Sequence, residues 1–154
     1  AIINDCKYGH RVKNGLISVN LIRKPIYPDK NADCGEQTFK LTIMPHKGTI
    51  NGSNVIQQAY QLNKDILPLS GNFEPLFSVE GDIVLETIKK GEQDNTIAIR
   101  CYEPYGKDAS AKIVPNFDFV GVRETDLMEN NAKEADLNSI VFSKCEIKTF
   151  VFSI

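Results

Sequence analysis

A period of two governs this chain. Phe39, Leu41 and Ile43 alternate with Lys40, Thr42 and Met44. Ile97, Ile99 and Cys101 alternate with Thr96, Ala98 and Arg100, and Phe150 and Phe152 with Thr149, Val151 and Ser153. Successive side chains of a strand point to opposite faces, so the pattern describes strands with one buried face. Further β-rich runs are Leu16 to Ile22, Ile83 to Ile88, Ala111 to Val114, Phe117 to Val122 and Ile140 to Phe142. Turn chemistry separates them. Asn14-Gly15 lies between two apolar runs and is the strongest hairpin signal in the chain. Gly91 to Asn95 and Tyr105 to Asp108 are polar links between other strands. One segment departs from the pattern. Val55, Ile56, Ala59, Tyr60 and Leu62 follow helical spacing, with Asn54 placed to cap and Gln57 to reach back in a capping box. Lys64-Asp65 and Pro68 end this helix, and Glu129 to Asn138 reads as an exposed polar loop. Many short strands at regular spacing predict an all-β fold, an antiparallel β-sandwich with one short amphipathic helix, over residues 1–154 as one domain.

Charge excludes several functions. Lys plus Arg is 18 and Asp plus Glu is 20, a net charge of −2 over 154 residues. Such a balance does not neutralise a phosphate backbone, so a nucleic-acid role is not expected. No basic stripe adjoins an apolar segment, and no apolar run approaches the roughly 18 residues of a spanning helix, so no membrane role is expected. The chain opens directly in the apolar stretch Ala1-Ile2-Ile3. It therefore reads as a piece of a longer protein.

Cys6, Cys34, Cys101 and Cys145 are scattered and form no C-x-x-C pair, so a structural zinc site is not expected. They read as reduced thiols of a cytosolic protein, although an even count also suits disulfides in a secreted one. The histidines are His10 and His46, with no metal motif around them. Asn51-Gly52-Ser53 fits a glycosylation sequon and reads better as a turn.

Catalytic patterns are missing from the residues themselves. There is no G-x-S-x-G elbow and no glycine-rich phosphate loop. Glycoside hydrolysis needs two carboxylates about 5–10 Å apart, and spacing singles out no pair among the acidic residues. Glu80 and Asp82 flank Gly81 and read as turn residues; Glu103 ends a strand before Pro104 and reads as facing a cleft or, more readily, as pairing with a neighbouring cation. Asn4, Asp5 and Lys7 form a polar cluster at a strand end, either capping a turn or packing on a missing domain. By residue chemistry alone the chain is a non-catalytic β domain.

Five stretches in order nevertheless resemble one family. They are Ile3 to Gly9; Leu21 to Pro25 with Pro28-Asp29 and Asp33 to Glu36; Phe39 to Gly48; Val84 to Lys90 leading into Ile99 to Gly106; and Cys145 to Thr149. Together they resemble the C-terminal β region of family 38 α-mannosidases, in the cytosolic and bacterial branch. The resemblance implies a parent enzyme that removes terminal α-linked mannose from glycans by a retaining mechanism. That enzyme would use an Asp nucleophile, a carboxylic general acid and a bound zinc ion. It implies that those groups lie in an N-terminal catalytic domain preceding this piece. The piece itself would hold no catalytic residue, bind no cofactor and lack activity alone. Its partners would be that catalytic domain and a mannose-containing glycan, with a second copy of the chain as a further candidate through unpaired strand edges. The location implied is cytoplasmic.

One contact carries over by resemblance. A basic residue of an early strand reaches the substrate pocket in the family, and Arg23-Lys24 matches that position, so Arg23 is the substrate-binding candidate. Lys24 stands where other branches have a second arginine. The plainer alternative is an ion pair of Arg23 with Asp29 or Asp33. His46, at a strand end, is expected to tie down its loop by hydrogen bonds. A different reading is a free-standing carbohydrate-binding or interaction module. Having no Trp, it would lean on Tyr27, Tyr102 or Tyr105.

Overall fold

The computed structural model describes residues 1–64 and 68–154. Backbone contacts group the chain into two compact units, Ala1–Pro68 and Leu69–Ile154. The sequence reading treats 1–154 as one β-sandwich; the sandwich belongs to the second unit.

The first unit is built from small ribbons. Strand β1 (Ile2–Asn4) pairs antiparallel with β4 (Leu41–Ile43), and β2 (His10–Lys13) with β3 (Leu16–Val19). The β2–β3 turn is the predicted one. Asn14 and Gly15 take φ of 51° and 75°, the left-handed pair that a two-residue hairpin loop demands. The run predicted as a strand to Ile22 stops at Val19. A 3-10 turn at Ile50–Gly52 precedes helix α1 (Val55–Asn63). The sequon residue Ser53 donates its hydroxyl to Ile50 O at 2.9 Å, so this stretch is a turn as expected.

The predicted capping box does not form, because Asn54 makes no side-chain cap bond. The helix is held instead from its other end. Asn63 Nδ2 donates to Asn4 O (3.2 Å) and to Ala59 O (3.0 Å), and Lys64 N closes on Tyr60 O. The predicted stop lies at Lys64 in part, since Asp65 falls outside the described residues. Among the described residues of this unit only Ile3 and Val55 are buried.

The second unit is the sandwich. Its strands are β5 (Phe77–Gly81), β6 (Val84–Lys90), β7 (Thr96–Tyr102), β8 (Ala109–Pro115), β9 (Gly121–Thr125), β10 (Lys133–Glu134), β11 (Ile140–Phe142) and β12 (Ile147–Ser153). A five-stranded antiparallel sheet runs β10-β9-β12-β7-β6, and a three-stranded one β11-β8-β5. Register explains the core. Phe150 pairs with Ile99 and Lys148 with Cys101, so Ile99, Cys101, Phe150 and Phe152 share one face of the larger sheet. They pack with Phe77, Ile113 and Phe142 of the smaller sheet. Each fully buried Phe contributes on the order of 2–3 kcal/mol. Cys101 lies in this apolar layer, and desolvation pushes its thiol up to about 12.

Two predictions are corrected in this unit. The run from Phe117 was expected to be a strand, yet pairing begins at Gly121. Phe117 and Phe119 close the end of the core instead. Their ring centroids lie 5.8 and 5.4 Å from that of Phe152, and Phe117 also meets Phe77 edge-on at 5.2 Å. Edge-to-face packing of rings offsets the lost ladder bonds. The polar run Glu129 to Asn138 was expected to be an exposed loop. Asn130 to Glu134, Asp136 and Asn138 are exposed as expected, but the run also contains β10, buries Leu137 in the core and buries the Glu129 side chain against Lys89 and the Glu92 N–H.

Candidate functional site

In the first unit, the loop around the substrate-binding candidate is organised by one carboxylate. Asp33 Oδ2 accepts the backbone N–H of Lys24 at 2.9 Å and of Arg23 at 3.3 Å. Asp29 Oδ1 accepts the N–H of Asn31 at 2.8 Å. These acids therefore shape the loop through its main chain, a different role from the side-chain pairing weighed above. Arg23 is exposed, and Tyr27 beyond it is almost fully so.

The polar cluster at the end of β1 caps its turn. Asn4 Oδ1 accepts Lys7 N at 2.6 Å, and Asn4 Nδ2 lies 3.3 Å from His10 Nε2. Asp5 accepts Lys40 N at 3.0 Å, which lowers its carboxyl, while the neighbouring Cys6 thiol is raised by its bond to Asp5. The Lys7 ammonium lies 5.2 Å from the Phe39 ring centroid. His46 Nδ1 is buried and makes no hydrogen bond, so that nitrogen does not tie down its loop.

In the second unit the singled-out carboxylates separate. Asp82 takes the Lys107 ammonium at 2.6 Å, whereas Glu80 faces Lys112 at 3.9 Å. Glu103 does neither thing expected of it. It is 1% exposed, and its carboxylate accepts backbone N–H groups of Tyr105 (2.6 Å), Gly106 (2.8 Å), Cys145 (3.0 Å) and Lys107 (3.2 Å). Burial pushes this carboxyl up, but the four N–H donors outweigh it and hold it below the usual range. Gly106 and Cys145 take φ of 69° and 55°, so the cradle fixes two left-handed positions. The Lys107 ammonium then lies 5.3 Å from the Tyr105 ring centroid. Sequence reasoning missed this cradle because its donors are main-chain groups; the one trace is a glutamate ending a strand just before Pro-Tyr-Gly.

A second acidic centre, Glu129, clasps a loop onto the outer face of the five-stranded sheet. Glu129 Oε1 meets Lys89 Nζ of β6 at 2.6 Å, and Oε2 accepts Glu92 N at 2.7 Å. Arg100 of β7 donates to Leu127 O at 2.7 Å. Burial raises the Glu129 carboxyl; the Lys89 and Glu92 bonds, with the Arg100 charge, bring it lower overall. On the core side, Glu124 binds Lys148 at 2.9 Å and Lys133 at 3.1 Å, and these bonds lower it against the opposing effect of burial. Among the described residues no group of three or more His, Cys, Asp or Glu side chains is placed to hold a metal ion. Also among them, no helix is long and apolar enough to cross a membrane.

The second unit is thus an antiparallel β domain of a five-stranded and a three-stranded sheet sharing one core. Residues 82–150 match the glycosyl hydrolases family 38 C-terminal beta sandwich domain, and the second unit belongs to that family. Two of the five stretches, Val84 to Gly106 and Cys145 to Thr149, fall within the matched residues. Similar proteins extend the match into the first unit. Alpha-mannosidase 2C1 of Mus musculus is 31% identical over 98% of this chain, and alpha-mannosidase G of Dictyostelium discoideum 31% identical over 99%. Alpha-mannosidase 2C1 of Homo sapiens is 40% identical over 69% of the chain. The chain spans 16%, 16% and 11% of the lengths of these three relatives, so it corresponds to a small part of each.

Proposed function

We propose that this chain is the C-terminal β region of a cytoplasmic α-mannosidase, a retaining glycosidase acting on terminal α-linked mannose. The observation that carries the reading is the alignment of nearly the whole chain with a small share of proteins named alpha-mannosidase. In this reading the catalytic carboxylates and zinc belong to polypeptide outside the chain, and the chain alone is inactive. The second unit supplies a self-contained support. The first unit displays Val12, Leu16, Ile22, Ile26 and Ile43 to solvent, a surface suited to burial against that further polypeptide. Arg23, held by its Asp33-shaped loop, offers a planar fork to sugar hydroxyls at the edge of the catalytic cleft.

The test compares three species on an aryl α-mannoside: the polypeptide detected in the source by an antibody against this chain, the same polypeptide truncated before Ala1, and the 154-residue chain. A band several times heavier than the chain, active only with this region attached, is the expected result. A source band of the chain's own mass, or full activity after truncation, overturns the reading. Arg23→Ala in the long form is expected to raise KM more than it lowers kcat.

A further inference from the structure

The outer face of the five-stranded sheet carries a cavity of about 260 Å³ that no part of the proposed function uses. Its floor is set by register. Val151 pairs with Arg123 of β9 and with Ala98 of β7, Thr149 with Thr125, and Ser153 with Gly121, so Arg123, Thr125, Val151 and Ser153 project from the face opposite the core. Its wall is the loop after β9, which contributes Met128 and Asn130.

This loop has its shape independently of any ligand. The Asp126 carboxylate accepts the N–H groups of Met128 and Asn130, both at 2.9 Å, and the Asn131 amide at 2.7 Å. Glu129 and Asn131 are held at φ of 61° and 53°, and the Glu129 clasp to Lys89 and Glu92 pins the loop to the sheet. A preorganised wall removes much of the ordering cost of binding.

The chemistry of the lining selects a ligand class. Arg123 brings a planar fork of donors, Asn130 both a donor and an acceptor, and Thr125 and Ser153 hydroxyls that give or take a bond. Val151 and Met128 supply an apolar strip. Glu92 and Glu129 also line the cavity and share the Lys89 ammonium at 3.0 and 2.6 Å, so the lining carries no excess positive charge, which disfavours an anion and suits a neutral ligand. The volume lies below the roughly 300–1,000 Å³ of drug-sized sites. We propose that this cavity binds one ring of a neutral polyhydroxylated ligand, a monosaccharide unit, at a subsite formed by Arg123, Thr125, Asn130 and Ser153. The choice of a mannoside as the ligand rests on the proposed function; the geometry of the cavity does not.

Methyl α-mannoside is titrated into the 154-residue chain while backbone amide resonances are followed, with inorganic phosphate in a parallel series. Saturable shifts confined to residues 123–132 and 151–153 are expected at millimolar sugar. Arg123→Ala is expected to weaken binding at least tenfold. Arg123→Lys, which keeps the charge and the exposed stem but not the fork, is expected to weaken it nearly as much. An absence of saturable shifts at 100 mM sugar, affinity unchanged in both variants, or saturation by phosphate alone overturns the proposal. Hydrolysis by the long polypeptide without sugar binding here removes only this subsite. Sugar binding here without hydrolysis by the long polypeptide removes only the enzyme reading.

Discussion

The two units of this chain are made of the same kind of sequence and solve different problems. In Leu69–Ile154 the alternating apolar residues meet across two sheets, and Ile99, Cys101, Phe142, Phe150 and Phe152 have no measurable exposure. In Ala1–Pro68 the same alternation leaves Val12 73% and Ile43 80% exposed, and both faces of the β2–β3 ribbon are open. Alternation therefore fixes which side chains share a face but not whether anything covers that face. Two-stranded ribbons are marginal in water, whereas packed sheets stand alone.

The largest expected effect follows directly. Residues 69–154 expressed alone should unfold in one cooperative step in urea, and residues 1–68 alone should show none. A cooperative transition in the first piece would erase the contrast between the units. Next come truncations within the full chain. Phe152→Ala should cost about 3–5 kcal/mol, because the hole it leaves is ringed by Phe77, Phe117 and Phe119. Val12→Ala in the exposed ribbon should stay within about 0.5 kcal/mol. Equal losses in denaturant unfolding would contradict the assignment of the core.

Glu103→Gln should cost about 2–3 kcal/mol, since an amide has one acceptor oxygen for four converging N–H groups. Acid sharpens the contrast further. Glu103, Glu124 and Glu129 all have carboxyls held below their ordinary value. A lowered folded value means that their stabilisation is fully present above the unfolded value of about 4.3 and is lost as pH falls through the folded values. The second unit should therefore keep full stability down to about pH 5 and lose it progressively below, with Glu103→Gln flattening the acid limb. A smaller effect than that of Glu103→Gln belongs to the hairpin turn. Gly15→Ala places a Cβ at φ of 75° and should loosen β2–β3 by about 1 kcal/mol, seen as faster amide exchange confined to that ribbon.

Much of the fold was legible because some local patterns admit one solution. Asn14-Gly15 specified its turn through backbone conformation alone, and Thr96 to Tyr102 specified a strand because one face had to be buried. Other features were hidden for physical reasons. The Glu103 cradle depends on main-chain donors, which every sequence possesses. The stretch from Glu129 to Asn138 was read correctly as largely exposed, but not at Glu129, whose carboxylate bonds to Lys89 and the Glu92 N–H, nor at Leu137, which enters the core. Phe117 and Phe119 carry the residues of a strand but are placed by ring packing at the sheet end. Arg23 stood out only through resemblance, since nothing in its local sequence distinguishes a sugar contact from an exposed cation.

The cradle around Glu103 also bears on the order in which the molecule assembles. Three of its donors lie within four residues of the acid, and the fourth, from Cys145, lies 42 positions away. The near three can gather as soon as the turn after β7 forms, at almost no loop-closure cost. The distant one must wait until β12 has aligned beside β7. The carboxylate thus acts as a latch that is half set early and thrown last. Loosening its far side should speed unfolding while leaving the folding rate nearly untouched.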